Sequence, residues 1–178
     1  MLSAVRLSTR MLAAPTRRVF AAPAIRSSFA GALRFSSSNV ITPGSAVTAY
    51  SSSEPIVKYT EDHEWIALHD DGIAFIGITK YAADALGDAT YIELPNPGDV
   101  VEKGESIGSV ESVKSASEIY SPVSCEIVEG NKDLEESAAL INKDPQGDAW
   151  FAKIKVTEKD EIDELMNLEA YEEFIASH

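Results

Sequence analysis

The chain has 178 residues, of which 44% are apolar and 25% are charged, and its formal net charge is −14. This composition is typical of a folded globular protein rather than a disordered or fibrous one, and no apolar stretch is long enough for a transmembrane helix. A single cysteine, Cys125, excludes an internal disulfide, and one cysteine with three histidines excludes a cysteine-rich zinc module. We therefore expect no membrane span and no metal centre.

Charge divides the chain into two unlike parts. All six arginines precede residue 35, whereas the first acidic residue is Glu54; from there on, nine lysines are outnumbered by all 29 acidic residues. The part of the chain from Glu54 onward is therefore strongly acidic. It repels phosphate backbones, which argues against nucleic acid as a partner. It favours protein partners with basic docking surfaces.

The first 53 residues are rich in arginine, serine and alanine and contain no acidic residue, a composition typical of an organelle transit peptide. The Leu-Arg-Phe-Ser-Ser run at residues 33–37 is similar to a mitochondrial processing site. We predict a mitochondrial transit peptide over residues 1–36, a flexible leader over 37–53 and a folded domain over 54–178. A basic tail that binds anionic surfaces is the alternative, and composition does not separate a mitochondrial from a chloroplast address.

The first elements of the folded domain can be predicted from short patterns. Residues 72–78 form an apolar, β-branched run after a turn, which predicts a buried strand. Thr79 is a candidate N-cap for a short helix over residues 81–86, and Gly87 is its stop signal. Strand character resumes at residues 90–94 and ends at a Pro-Asn-Pro-Gly turn.

Two further elements are predicted near the C-terminus. Residues 150–156 alternate, which places Trp150 on one face of a strand with the other even-numbered residues and Phe151 on the opposite face with two lysines. The last segment has apolar residues at helical spacing among acids and predicts an amphipathic helix with Asp160 as its N-cap. We expect the apolar stripe of that helix to pack on the domain.

Many short strands separated by glycine and proline turns predict a β-sandwich or barrel. Residues 97–104 are loosely repeated at 122–130, which suggests two similar strand–turn–strand units in a small flattened barrel. The predicted fold class is therefore mainly β with short peripheral helices and a C-terminal amphipathic helix.

Between the two repeats lies the segment that carries the chemistry. Two extended runs flank Lys114 and small polar residues surround it, so pairing of the runs would place this lysine at the exposed tip of a hairpin. Taken alone, such a lysine is an ordinary solvated turn residue, because exposed lysines are common.

Several separate motifs, which follow one another along the chain, indicate a specific role for Lys114. They are Gly-Ser-Val-Glu-Ser-Val-Lys-Ser at 108–115, Ser-Pro-Val-Ser at 121–124, His-Glu-Trp at 63–65, Gly-Ile-Thr at 77–79, and Glu-Leu-Pro at 93–95 with Pro-Gly at 97–98. Together they resemble the lipoyl and biotinyl carrier domains, with their hybrid barrel, and more closely the glycine cleavage system H proteins. The resemblance extends from about Tyr59 to the C-terminus. Val113 and Ser115 disfavour biotin, because biotin carriers typically flank the lysine with methionine.

The resemblance implies a non-catalytic shuttle whose Lys114 amine is acylated by lipoic acid, with Glu111 read by the lipoylating enzymes. In the family, glycine decarboxylase (P protein) loads an aminomethyl group on the arm and aminomethyltransferase (T protein) unloads it. Dihydrolipoamide dehydrogenase (L protein) then reoxidises the dithiol. The resemblance also implies a monomer in the mitochondrial matrix. A lipoyl donor that relays its cofactor to other carriers is an alternative role that the sequence does not separate.

Three carboxylates match the family's positions near the loaded arm. Asp62, Glu64 and Glu118 could accept hydrogen bonds from the aminomethyl ammonium, and their ordinary interpretation is that of solvated surface acids.

Two departures from the family pattern affect the interpretation. Cys125 replaces a glycine, where it is either a small buried filler or a reactive thiol and is strained if the turn needs positive φ. Lys80-Tyr81 replaces Asp-His, which weakens the prediction of a histidine beside the arm. A catalyst built on His63 and Glu64 is disfavoured because no His-Glu-x-x-His spacing or nucleophile signature accompanies them.

Overall fold

The computed structural model describes residues 39–177, and nine strands in this part of the chain form two antiparallel sheets. The strands are β1 (Ile56–Tyr59), β2 (Glu64–Leu68), β3 (Ile73–Ile78), β4 (Ala89–Glu93), β5 (Val100–Val101), β6 (Ser106–Ser112), β7 (Ala116–Tyr120), β8 (Cys125–Gly130) and β9 (Ala152–Val156). The helices are α1 (Ala46–Ala49), α2 (Lys80–Leu86), α3 (Lys132–Glu136), α4 (Leu140–Lys143) and α5 (Leu168–Ala176), with a 3₁₀ turn at Lys159–Ile162.

The larger sheet has the order β1-β2-β3-β9-β8-β5 and the smaller sheet the order β4-β6-β7. Strands β5 and β8, which lie within the two repeated segments, pair with each other, with Val101 opposite Cys125. The inner faces of the two sheets enclose the main apolar core, to which Ile76, Val110 and Ile154 contribute fully buried side chains. The predicted fold class, a flattened β-sandwich or barrel with peripheral helices, is confirmed.

Strands β2 and β3 are buried on both faces, which explains their unbroken apolar runs. Ile66 points to the main core, whereas Trp65 and Phe75 belong to a second cluster on the opposite face of the sheet. Helix α5 covers part of that second face through Tyr171, Phe174 and its neighbours, so the apolar stripe of the C-terminal helix packs on the domain.

The remainder of the second face is covered by residues 39–53, the described part of the segment 37–53 that the sequence predicted to be a flexible leader. We call these residues the strap. Ile41 and Val47 of the strap are buried against the second cluster, and the Asn39 carbonyl accepts a 2.5 Å hydrogen bond from the Tyr59 hydroxyl. The Thr42 N–H donates to the Gln146 carbonyl at 2.8 Å. The strap is folded because the apolar face beneath it would otherwise contact water.

Most local predictions agree with the structure. Strand β3 and helix α2 form where expected, with the Thr79 hydroxyl accepting from the Ala82 N–H and Gly87 at φ 80° ending the helix. Asp160 was wrong as an N-cap, because it lies in the 3₁₀ turn and Asn167 caps α5 instead. The predicted strand over residues 150–156 was wrong at its first two residues. Strand β9 begins at Ala152, and Phe151 is buried in the main core instead of lying on the same face as the two lysines.

The predicted transit peptide, residues 1–36, lies outside the described residues. None of the helices within residues 39–177 combines the length and the apolar character that crossing a membrane requires.

We expect Val47→Ala to lower the free energy of unfolding by about 2 kcal/mol, because it removes two buried methyl groups and leaves a cavity. Val40→Ala is the matched control, since Val40 lies in the same strap but is 48% exposed, whereas Val47 is 0% exposed. Urea unfolding of both variants of a chain that retains the strap measures the difference. Equal stability of the two variants would contradict the packed strap.

Candidate functional site

The β6–β7 hairpin presents Lys114 at its tip, as predicted, and the lysine is exposed. Ser112 fixes the turn beneath it. The Ser112 N–H donates to the Ser115 carbonyl at 2.8 Å, and the Ser112 hydroxyl oxygen accepts from the Lys114 and Ser115 N–H groups at 3.2 and 3.1 Å. The backbone at the tip is thereby held in a defined turn while the lysine side chain extends from it.

The base of the hairpin depends on Gly108. Its φ is 152°, and a Cβ built there would lie 2.1 Å from the Glu93 carbonyl oxygen and 2.8 Å from the Phe151 ring. The register of β6 and β7 shifts at this point, between Ser106 and Gly108. Only glycine lets β6 pass this close to β4 and the core, so Gly108 anchors the strand that leads to Lys114.

A cleft of about 240 Å³ lies beside the hairpin. Its apolar lining comes from both sheets and α2, and its polar lining includes Asp62, Glu118 and two serines of the tip and β7, Ser115 and Ser117. The Glu118 carboxylate also accepts a short hydrogen bond from the Ser106 hydroxyl. Asp62 and Glu118 therefore both border the cleft beside the hairpin that carries Lys114, but Glu118 alternates with the buried Ile119, so its side chain points to the outer face of the smaller sheet.

His63 also lines this cleft. A histidine beside the arm was not expected from the sequence, because Lys80-Tyr81 replaces the Asp-His of the family pattern. Its Nδ1 lies 2.9 Å from the Tyr171 hydroxyl, which lies 2.8 Å from the Thr79 hydroxyl. The imidazole also packs on Tyr81, with ring centroids 4.7 Å apart. Burial raises the pKa of Tyr171 to about 12, so its hydroxyl stays protonated at neutral pH. In the sequence, the His-Glu-Trp motif at residues 63–65 pointed to His63. The residues that hold its ring, Tyr171 and Tyr81, come from distant elements, so the motif could not predict them.

His63 is also the one non-glycine residue with positive φ, 72°, among those described. Such a conformation costs about 1 kcal/mol or more in most residues and is found where surrounding contacts impose it. Here the His63 carbonyl accepts from the Thr79 N–H at 2.9 Å, which ties the turn to the start of α2. The ring is thus held at the cleft by both backbone and side-chain contacts.

Glu64 does not line this cleft; its carboxylate is 2% exposed and lines a neighbouring groove. It accepts a hydrogen bond from the Tyr120 N–H at 3.1 Å and a short one from the Thr60 hydroxyl. Burial raises the pKa of Glu64, an effect that these two hydrogen bonds partly oppose. The carboxylate thus joins β2 of the larger sheet to the end of β7, at the base of the hairpin.

The last two candidate residues lie apart from the cleft. Glu111 is exposed on β6, opposite Tyr91 of β4 and Ala116 of β7. Cys125 is fully buried at the start of β8, with its Sγ 3.4 Å from the Ser121 hydroxyl, and its φ is not positive. Burial raises the pKa of the thiol, so Cys125 is a small buried filler without the strain that a turn would have imposed.

We expect Glu64→Gln to remove a pH dependence of stability. Because the pKa of Glu64 is raised in the folded state, the native chain holds this proton more tightly than the unfolded chain, and its stability falls as pH rises above about 4. Glutamine keeps an acceptor for Tyr120 and does not ionise. Urea unfolding from about pH 4 to pH 7 should therefore show the variant gaining stability relative to the wild type as pH rises.

The control for this experiment is Glu61→Gln, which changes the net charge equally at an exposed neighbour. A stability difference between Glu64→Gln and the wild type that stays constant with pH would contradict this account.

Comparisons with known proteins agree with this site. A family model described as glycine cleavage H-protein matches residues 57–178. A mitochondrial glycine cleavage system H protein of Saccharomyces cerevisiae is 52% identical over 144 residues, covering 79% of this chain and 85% of the yeast protein. The glycine cleavage system H protein of Rhodospirillum rubrum is 52% identical over 117 residues, covering 66% of this chain and 93% of the bacterial protein.

A solved structure shows the same fold. The crystal structure of a glycine cleavage system H protein from Mycobacterium marinum matches with a TM-score of 0.63 and 37% sequence identity, covering 67% of this chain and 96% of that chain. The chain belongs to the glycine cleavage H-protein family.

Proposed function

We propose that Lys114 is the residue to which lipoic acid is attached and that the chain presents this arm to the enzymes of glycine cleavage. Membership of the family makes the chain a lipoyl carrier and a non-catalytic component of that multienzyme system. The observation that carries the assignment to Lys114 is its exposed position at the tip of a hairpin whose turn and base are both fixed.

The surroundings of Lys114 fit such an arm. Neither of the two ion pairs within residues 39–177 involves it, whereas Lys80 and Lys103 are paired with Asp84 and Glu164. Its amine is therefore accessible for acylation, which converts it to a neutral amide. The attached group supplies dithiol–disulfide chemistry, which the single buried cysteine of the chain cannot supply.

We propose that the partners of the carrier are the three enzymes of glycine cleavage. The carrier receives the aminomethyl group from glycine decarboxylase, delivers it to aminomethyltransferase, and presents the reduced dithiol to dihydrolipoamide dehydrogenase. An exposed tip on a rigid base suits successive short encounters, because the domain need not rearrange for each enzyme. The acidic body favours partners with basic docking surfaces.

The cleft beside the hairpin suits the cationic cargo. Asp62 places a carboxylate at a partly apolar site, where it could accept a charge-assisted hydrogen bond from an ammonium group. Holding that amine protonated withholds the nitrogen lone pair and thereby slows loss of the aminomethyl group to water. Glu64 lies outside this cleft and fastens the end of β7, the strand that contributes Ile119 to the cleft.

We also place the protein in the mitochondrial matrix, with residues 1–36 as a transit peptide. The supporting observations are the acid-free, arginine-rich composition of the first 53 residues and the similarity to a mitochondrial protein of yeast.

We expect Lys114→Arg to leave folding unchanged and to abolish glycine–bicarbonate exchange with glycine decarboxylase, because arginine keeps the charge but cannot be lipoylated. Intact mass of the wild type from lipoate-competent cells should show one lipoyl amide, and peptide mapping should place it on Lys114. Lys132→Arg, at an exposed lysine of α3, is the control and should retain both. Exchange by the Lys114→Arg variant, or a lipoyl group on another lysine, would refute the assignment.

We expect Asp62→Asn to shorten the lifetime of the loaded carrier about tenfold, because hydrogen bonds to charged groups contribute about 1.5 kcal/mol or more. Release of formaldehyde and ammonia without aminomethyltransferase measures that lifetime. Asparagine has nearly the same shape as aspartate and removes the charge. Glu136→Gln, at an exposed acid of α3, is the control for net charge, and equal lifetimes in both variants would contradict the role of Asp62.

A further inference from the structure

The outer face of the smaller sheet carries side chains that the carrier function has not used. Residues opposite one another in antiparallel strands point to the same face, so Tyr91, Glu111 and Ala116 form one row across β4, β6 and β7. Glu93, Ser109 and Glu118 form the next row. The first of these rows lies on the side of the hairpin tip and Lys114.

Two apolar side chains on or beside this face are unusually exposed. Tyr91 is 56% exposed in the first row, and Val113, directly before Lys114, is 85% exposed. Tyrosine is enriched among the residues that dominate binding energy at protein interfaces. Tyr91 lies beside Glu111 in the first row, with the small Ala116 beyond it, so its exposed side chain can enter a pocket of a partner.

The charge on the face is of one sign. Glu93 and Glu111 are exposed, and neither takes part in the two ion pairs found within residues 39–177. The basic residue next to this face is Lys114 itself, and acylation removes its charge. A partner that covers this face therefore gains most if its own surface is basic.

We propose that Tyr91, Glu93, Glu111 and Val113 form the docking face of the enzyme that acylates Lys114, with basic side chains opposite the glutamates and an apolar pocket for Tyr91. This inference rests on the proposed function. The resemblance implied a role for Glu111 alone, and the structure extends the contact across β6 onto β4. The carboxylates supply attraction, and the two apolar side chains supply contact area once water is expelled.

Distance selects this enzyme over the others that visit the arm. The acylating enzyme must bring its active site to the Lys114 Nζ, where the amine attacks the carbonyl carbon of an ATP-activated lipoyl adenylate. The amide C–N bond forms, the bond to AMP breaks, and Nζ loses a proton. Enzymes that act at the far end of the finished arm are separated from the tip by the length of that arm. Only the acylating enzyme must therefore contact the residues around Lys114.

The test uses the unlipoylated folded chain with a lipoate–protein ligase, ATP and lipoate, and follows the gain of the lipoyl mass with time. We expect Tyr91→Ala to raise KM for the chain about tenfold, whereas Val100→Ala, at a residue 78% exposed on β5, should leave KM unchanged. Binding of the ligase to each variant, measured by titration, should show the same order. Urea unfolding should confirm that Tyr91→Ala is folded.

Salt provides an independent readout. KM of the wild type should rise with NaCl, because the attraction is between exposed charges. The double variant with Glu93→Gln and Glu111→Gln should show a weaker rise, whereas Glu136→Gln should not differ from the wild type.

The outcomes separate this inference from the proposed function. Failure of the ligase to modify Lys114 of the wild type overturns the proposed function. Modification of the wild type, with equal KM for Tyr91→Ala and Val100→Ala, overturns the docking face alone. After prolonged incubation has lipoylated both variants fully, dihydrolipoamide dehydrogenase should turn them over at equal rates. A matching loss in that assay would overturn the assignment to the acylating enzyme.

Discussion

The buried carboxylate of Glu64 joins the two sheets at the base of the hairpin, and the geometry of the site depends on this contact. It accepts from the Tyr120 N–H at the end of β7 and from the Thr60 hydroxyl beside β2. A buried carboxylate without such partners would be strongly unfavourable, so its burial requires the two strands to meet. Together with the close approach of β6 to β4 at Gly108, this contact gives the exposed Lys114 a fixed base.

The cleft beside the hairpin combines residues from separate parts of the chain. Its wall at His63 is supported by Tyr171 of α5 and Tyr81 of α2, and α5 packs on the same cluster that the strap also covers. The packing that stabilises the second face of the large sheet therefore also holds one wall of the proposed binding cleft.

Charge acts at two ranges in this molecule. The acidic body attracts basic partners from a distance and gives encounters that salt can weaken. At short range, the carboxylates divide by position: Glu93 and Glu111 lie on the outer face of the small sheet, whereas Asp62 lines the cleft. In the proposed function, acylation of Lys114 would remove its positive charge and make the surroundings of the tip more negative.

Local patterns in the sequence determined strands β3 and β4, the hairpin that carries Lys114, the cap of α2 and the motifs of the family, because each depends on residues close together in the chain. Only the tertiary structure decided the packed strap, the burial of Glu64 and the place of His63. The Glu64–Tyr120 and His63–Tyr171 contacts join residues 56 and 108 positions apart. No periodicity or spacing reports such pairs, since they form only when the sheets stack and the second apolar face is covered.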